Sequence, residues 1–235
     1  MRYFVQTLTA VLFARYDLTN KIEVANTLNK RVRRILDGEP VFFPIPADAP
    51  AEIPRIILES KDRRYVNTVA MDRLELVYNE QGKPRKELSD LREDYLRLIG
   101  DIAGIAKVEL KANVFRLGFV ASFLAFPSEP VQVIMNSFLK EGAIKNPLGL
   151  QVHVLDRMTW NELEVNRWYR LSSIEMSEAT GKNKALSVVF DVNTTSAKRY
   201  EFGATSITAF YDRASTYTSE NIKMLFPEEK LPEVS

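Results

Sequence analysis

Residues 3–16 read YFVQTLTAVLFARY, a run of β-branched and aromatic side chains that predicts a long buried strand. Asn20 then begins a helical pattern, with apolar residues three and four positions apart, which Gly38 and Pro40 end. Four short strand patterns follow, at 41–45, 55–60, 64–70 and 72–78. A long amphipathic helix is predicted over about 86–106.

The second half of the chain repeats this order. A strand is predicted over about 108–126, with a break near Lys111–Asn113 left open, and a helix follows Ser128. Three further strands and a last helix are predicted at 149–156, 165–178, 185–193 and 203–225. The pattern indicates an α+β fold with a mainly antiparallel sheet and helices on one face. The repeated order could reflect a tandem pseudo-repeat of the saddle or helix-grip kind. Alternatively, this is a generic α+β domain whose halves match by chance.

The repeat predicts how the chain is divided. Residues 1–106 would form one α+β half, and residues 107–226 a second half that continues the same sheet. Residues 227–235 carry two prolines and several acids, which is typical of a solvated tail.

Composition excludes several kinds of chemistry. The 235 residues include no cysteine and one histidine, so disulfides, thiol catalysis, Cys-ligated metals and multi-histidine metal sites are excluded. The formal net charge is +1, so no global basic field attracts nucleic acid or anionic lipid. Neither GxGxxG nor GxxxxGK[ST] occurs. We therefore expect no cofactor. The N-terminal run lacks the pattern of a signal peptide, and no window is apolar enough to span a membrane, so we expect a cytoplasmic protein.

Three stretches resemble a sporadically distributed, uncharacterised bacterial family of α+β proteins. They are DAPAEIPRIILES at 48–60, FRLGFVASF at 115–123 and LSVVFDV at 186–192. An aromatic–Asn element expected after Gly118 in such proteins is absent here. The resemblance implies an α+β fold and no known activity, so it assigns no catalytic residues.

The most enzyme-like pattern is an aspartate followed by a Glu-x-Lys tripeptide. Asp48, Glu59 and Lys61 have the order found in Mg²⁺-dependent nucleases of the PD-(D/E)xK class, in which two carboxylates hold the ion and the lysine polarises the attacking water. Asp48 lies in a proline-rich stretch rather than on a predicted strand. The alternative interpretation is a solvated strand end whose alternating charges keep the turn soluble.

Two other features have both a functional and a structural interpretation. His153 could act as a general base, but no nucleophile elbow accompanies it, and a strand histidine is the simpler interpretation. Basic clusters, joined with aromatic rings such as Tyr65, could form a nucleic-acid platform, or could be solvated faces. These clusters are Lys30–Arg31–Arg33–Arg34, Lys61–Arg63–Arg64 and Lys182–Lys184.

Aromatic residues are the best candidates for a binding surface. Trp160, Trp168 and Tyr169 lie close together in the sequence, and Tyr217 lies in the last helix. Their rings could anchor a partner or close one end of the core, and the sequence leaves both interpretations open. The last helix has weak helix propensity and would need tertiary or quaternary packing, which suggests self-association.

Together these observations predict a binding or scaffold protein without catalytic activity. It would act through protein–protein contacts with a partner or a second copy of itself. A Mg²⁺-dependent nuclease and a nucleic-acid-binding saddle are the alternatives.

Overall fold

The fold is an α+β structure with a mainly antiparallel sheet, as predicted. The computed structural model describes residues 1–32, 34–46, 48–82, 84–140, 143–145, 147–178 and 181–225. The predicted tail at 227–235 lies outside the described residues. The strands are β1 Phe4–Phe13, β2 Val41–Phe42, β3 Ile56–Glu59, β4 Tyr65–Val69, β5 Arg73–Asn79, β6 Arg116–Ala125, β7 Gln151–Trp160, β8 Leu163–Glu178 and β9 Gly181–Thr194. The helices are α1 Lys21–Val32, α2 Leu88–Gly104, α3 Pro130–Phe138 and α4 Ala204–Leu225.

All nine strands belong to one sheet, in the order β2-β3-β4-β5-β1-β6-β9-β8-β7. Every neighbouring pair is antiparallel, and β1 and β6 meet in the middle. Strands of the first half lie on one side of this seam and strands of the second half lie on the other. In each half the first strand pairs with the last one, so the two halves have corresponding strand orders.

Alternation along β1 distinguishes the two faces of the sheet. Leu8, Ala10 and Leu12 are fully buried, whereas Thr9 and Val11 between them are only half-buried. Since successive side chains of a strand point to opposite faces, one face is covered by the helices and the other is uncovered. We call these the covered face and the open face. The pairing register shows which residues of the remaining strands lie on the covered face and which lie on the open face.

Two tyrosines tie the helices to the covered face. Tyr95 of α2 donates a hydrogen bond to the carbonyl oxygen of Leu76 at 2.8 Å, and Tyr211 of α4 donates one to the carbonyl of Val11 at 2.7 Å. Both rings are buried, and burial raises the pKa of both hydroxyls well above the usual tyrosine value. These side chains fix where α2 and α4 lie over the seam.

The strand predicted over 108–126 begins later than expected. Residues Ile105–Glu109 instead form a π-helical turn that continues α2, and β6 starts at Arg116. The amide of Ala112 donates to the carbonyl of Ala106, and Lys111 has a positive φ of 50°. Ile105 and Ala106 are fully buried, so the helix end extends one turn to keep them in the core.

Candidate binding surfaces: the open face and the β7 edge

The centre of the open face is made of small and β-branched side chains. On β1 it presents Thr7, Thr9 and Val11, and on the neighbouring β6 it presents Val120 and Ser122. All five are half-buried, because neighbouring side chains of the same face shield one another while no helix covers them. This region offers an uncharged surface at the middle of the sheet.

An aromatic ring with two arginines lies at one end of this surface. Phe13 is paired with Arg73 on β5 and with Arg116 on β6, and their guanidinium carbons lie 5.5 Å and 4.7 Å from its ring centroid. Arg73 also bonds Asp72 at 3.0 Å and lies 3.6 Å from Glu75. The hydrogen bond that Arg73 donates to Asp72 is the main cause that raises the pKa of the Arg73 guanidinium.

The remaining arginines of the open face also have partners within the chain. Arg116 donates to the carbonyl oxygen of Thr194 at 3.3 Å. Arg170 on β8 lies 3.4 Å from the carboxylate of Asp191. Arg157 on β7 donates to the side-chain oxygen of Asn166 at 2.9 Å. The positive charges of this face are therefore engaged in internal hydrogen bonds and ion pairs.

Several residues of the basic clusters singled out in the sequence also form ion pairs with acidic side chains. Arg31 bonds Glu109 at 3.1 Å, Lys61 lies 3.7 Å from Asp37, and Arg64 lies 3.6 Å from Asp62. Arg33 lies outside the described residues. Arg63 and Lys184 also have carboxylate partners, so much of the positive charge of these clusters is paired locally.

The outer side of β7 is the long free edge of the sheet, and we call it the β7 edge. β7 pairs with β8 over ten residues without a bulge, and no other strand of the described residues adjoins it. Val154 and Leu155 are 40% and 49% exposed. His153 lies between Val152 and Val154 with its side chain on the open face, opposite Arg170 of β8. Long edges of this kind can accept a further strand.

The four aromatic residues predicted as a binding surface are divided between the two faces. Trp160 is 3% exposed on the covered face, with its ring 6.1 Å from Phe210 and 5.8 Å from Tyr217. Tyr169 is also on the covered face, at 5.2 Å from Phe190, and burial raises the pKa of its hydroxyl. Trp168 alone lies on the open face, where it is paired with Leu155 of β7.

A cavity of about 330 Å³ separates α3 and the end of α4 from the β7–β8 hairpin, and it is lined by apolar side chains together with Asp156, Arg167 and Tyr217. Arg167 forms an ion pair with Asp156 and lies over the Tyr217 ring at 4.7 Å. Its Nε and the Tyr217 hydroxyl have no hydrogen-bond partner among the described residues.

Each residue of the nuclease pattern has different surroundings. Asp48 is exposed in the proline-rich loop, Glu59 ends β3 and lies 3.9 Å from Arg63, and Lys61 is bonded to Asp37. The backbone amide of Lys61 is the main cause that lowers the pKa of Asp37. Across the parts of the chain that the structure describes, no three His, Cys, Asp or Glu side chains are grouped so that they could hold a metal ion.

Arg55 is a residue that sequence reasoning missed. It is 2% exposed, and its guanidinium donates to backbone carbonyls of the proline-rich loop, including those of Ile53 at 2.5 Å and Ala49 at 3.3 Å. A single arginine that follows a proline carries no signal of burial in the sequence. Its position is set by the loop folding around it, so its contacts indicate a structural role.

Comparisons with known proteins leave the family open. No family model matches the chain, and no curated protein matches it. One similar solved structure is a rolling circle replication initiator protein from Geobacillus stearothermophilus, with 8% sequence identity, coverage of 96% of this chain and 85% of that chain, and a TM-score of 0.36. A TM-score this low supports no inference about this chain. Among the described residues, no helix combines the length and apolar character needed to cross a membrane.

Proposed function

We propose that this protein is a cytoplasmic binding or scaffold protein without catalytic activity, which holds a protein partner on the open face. The observation that supports this most is that the arginines of this face are already bonded to other groups of the chain. Arg73, Arg116, Arg157 and Arg170 each bond an acceptor within the chain. A protein surface can dock on such a face without breaking these contacts.

Phosphate recognition would require the opposite arrangement. Affinity for nucleic acid comes mainly from cations that are free to neutralise phosphates. Here two of the four guanidinium groups are already paired with carboxylates, the other two donate to oxygens of the chain, and the centre of the face between the arginines is uncharged. Threonine and valine at Thr9, Val11 and Val120 instead suit an uncharged protein surface, since burying them removes apolar area from water.

Site-specific cross-linking tests this proposal. A photo-reactive residue is placed at Val120 on the open face and, as a control, at Ile22, which is 63% exposed on α1. We expect the Val120 position, and not the Ile22 position, to capture one protein in cells of the native host. That protein is then purified and titrated. Val120→Lys should raise its Kd at least about tenfold, since a charge is buried in the contact, whereas Ile22→Lys should leave the Kd unchanged.

The alternatives predict different results. A nucleic-acid-binding protein would be retained on heparin at low salt and would lose binding steeply as salt increases. A nuclease would release nucleotides only with Mg²⁺ and would lose this activity in Glu59→Ala. Either result, or equal capture at Val120 and Ile22, would overturn the proposed function.

A further inference from the structure

The two edges of the sheet differ in their capacity to accept another strand. β2 has two residues, and Pro40, Pro44 and Pro46 flank it, so its outer side offers almost no continuous ladder. β7 has ten residues with no proline, lysine or bulge to protect the edge, and its two charged side chains, Asp156 and Arg157, are already paired with Arg167 and Asn166 of β8. A contact between β7 of one copy and β2 of the next would therefore form few hydrogen bonds. Of the two edges that the described strands leave, β7 is the one that offers a second copy a matching edge.

Backbone hydrogen bonding shows which residues of β7 face outward. The amide of Ser173 in β8 donates to the carbonyl of Leu150 at 3.1 Å, so residue 150 points its backbone groups toward β8. Because this direction alternates along a strand, even-numbered residues of β7 face β8 and odd-numbered ones face outward. The outward residues are Gln151, His153, Leu155, Arg157 and Thr159. Among the described backbone contacts outside the strand ladders, none reaches these residues.

These five residues are arranged symmetrically about Leu155. If a second β7 lies antiparallel with a two-fold axis through Leu155, then Gln151 faces Thr159 of the second copy and His153 faces its Arg157. Every outward amide and carbonyl then has a partner, which gives about ten inter-chain hydrogen bonds. The axis is perpendicular to the sheet, so the open faces of both copies form one continuous surface. Such a contact is isologous and closes at two copies.

The side chains of this register are compatible with one another. On the open face, Trp168 is paired with Leu155, so the axis creates a row of Trp168, Leu155, Leu155 and Trp168 across the two chains. Leu155 is 49% exposed in one chain and would be covered in the pair. An imidazole nitrogen of His153 can accept a hydrogen bond from Arg157 of the second copy, and the hydroxyl of Thr159 can bond the amide of Gln151.

Charge and neighbouring surface also favour a second copy as the occupant. The chain has a formal net charge of +1, so two copies repel one another little. Ile144 and Leu148 in the segment before β7 are 44% and 102% exposed, and β7 itself exposes the apolar side chains of Val154 and Leu155. We infer that a second copy of this chain docks on the β7 edge, antiparallel and centred on Leu155, to join two nine-stranded sheets into one.

Engineered cysteines test the register directly, because the natural chain has none. In Leu155→Cys the two cysteines face each other with Cα atoms about 5.5 Å apart, which lies within disulfide range. In the control Thr159→Cys they are eight residues out of register, roughly 26 Å apart. Mild oxidation of the full chain should convert most of L155C to a covalent dimer on a non-reducing gel and leave T159C monomeric. Equal cross-linking of both variants, or of neither, would overturn the inference.

Proline tests the hydrogen bonds. Leu155→Pro removes an amide that faces outward, so the β7–β8 ladder keeps all of its bonds. Sedimentation equilibrium should show a dimer for the natural chain and for Ile22→Lys, and a Kd at least about tenfold higher for Leu155→Pro, since two central bonds are lost. A circular dichroism spectrum confirms that the variant is folded. If the natural chain stays monomeric over a 100-fold range of concentration that reaches its solubility limit, the inferred self-association is wrong. Binding of a different protein at Val120 would be unaffected by that result.

Discussion

Trp160 connects the β7–β8 hairpin to α4. Its ring packs against Phe210 and Tyr217, Arg213 lies 4.9 Å above it, and its indole N–H donates to the sulfur of Met158 at 2.8 Å. Trp168 has none of these contacts with α4, because it points to the open face from the neighbouring strand. The two tryptophans of the chain therefore have different roles, one in the core and one on a surface.

This difference gives a prediction about stability. Trp160→Ala should lower the free energy of unfolding by about 3–5 kcal/mol, because it leaves a large cavity between β7 and α4. Trp168→Ala should lower it by less than about 1 kcal/mol, since its face is not covered by a helix. Urea unfolding at a protein concentration where both variants have the same oligomeric state measures both values. Equal losses would contradict the assignment of the two faces.

At the same scale, part of the candidate site could be predicted from the sequence. Trp168 and Tyr169 are adjacent on a strand, so alternation alone places them on opposite faces. Trp160 could not be placed this way. Its strand extends to a two-residue turn, Asn161–Glu162, with φ of 43° and 72°, and Glu in the second position is not a usual turn signal. Burial of Trp160 against α4 arises from a contact between residues far apart in the sequence.

Among the elements, α4 depends most on its neighbour. It is rich in serine and threonine, which are mediocre helix formers. Arg92 of α2 reaches across to this helix and donates to Ser215 at 3.0 Å, to Thr216 at 2.8 Å and to Asp212 at 2.5 Å. The hydroxyls of α4 are thus used as acceptors for one guanidinium, and α2 holds α4 in place.

Removing this guanidinium should loosen α4. Arg92→Ala is expected to lower the free energy of unfolding by about 1–2 kcal/mol, a value at the lower end for charged hydrogen bonds because the side chain is 37% exposed. Arg97→Ala is the matched control on the same helix, since Arg97 pairs only with Asp94 one turn away, and should cost less than about 0.5 kcal/mol. Amide hydrogen exchange should be faster in α4 of the first variant only; unchanged exchange there would contradict the contact.

Element types were predictable where the hydrophobic period is long and unbroken. The periods of β1 and α2 are of this kind, and both elements were found near the predicted residues. Residues 108–115 were predicted as part of a long strand, but they follow α2 into a π-helical turn and a loop. The order of strands, and therefore the free β7 edge, has no local signal, since it depends on which strands meet after the chain has folded.

The stability of the whole molecule depends on three tyrosines that are buried in its core. Tyr16, Tyr95 and Tyr211 are buried, and burial is the main cause that raises the pKa of each above the ordinary tyrosine value. Tyr95 and Tyr211 also donate their protons to carbonyl oxygens of β5 and β1. The fold therefore requires these hydroxyls to stay protonated, so its stability should decrease at alkaline pH.

Below about pH 10 these tyrosines are protonated in both the folded and the unfolded chain, so their contribution is fully present. Above it, the unfolded chain releases the protons while the folded chain keeps them, and the free energy of unfolding falls as pH rises. Each tyrosine should cost about 1.4 kcal/mol per pH unit, or about 4 kcal/mol per unit for the three. Urea midpoints between pH 8 and pH 12, followed by tyrosinate absorbance, measure this slope. In Tyr211→Phe the slope should decrease by about 1.4 kcal/mol per pH unit, the contribution of one tyrosine, although the variant is less stable at neutral pH. Tyrosinate absorbance that develops near pH 10 before any unfolding, in all nine tyrosines, would show that the helices do not bury these rings.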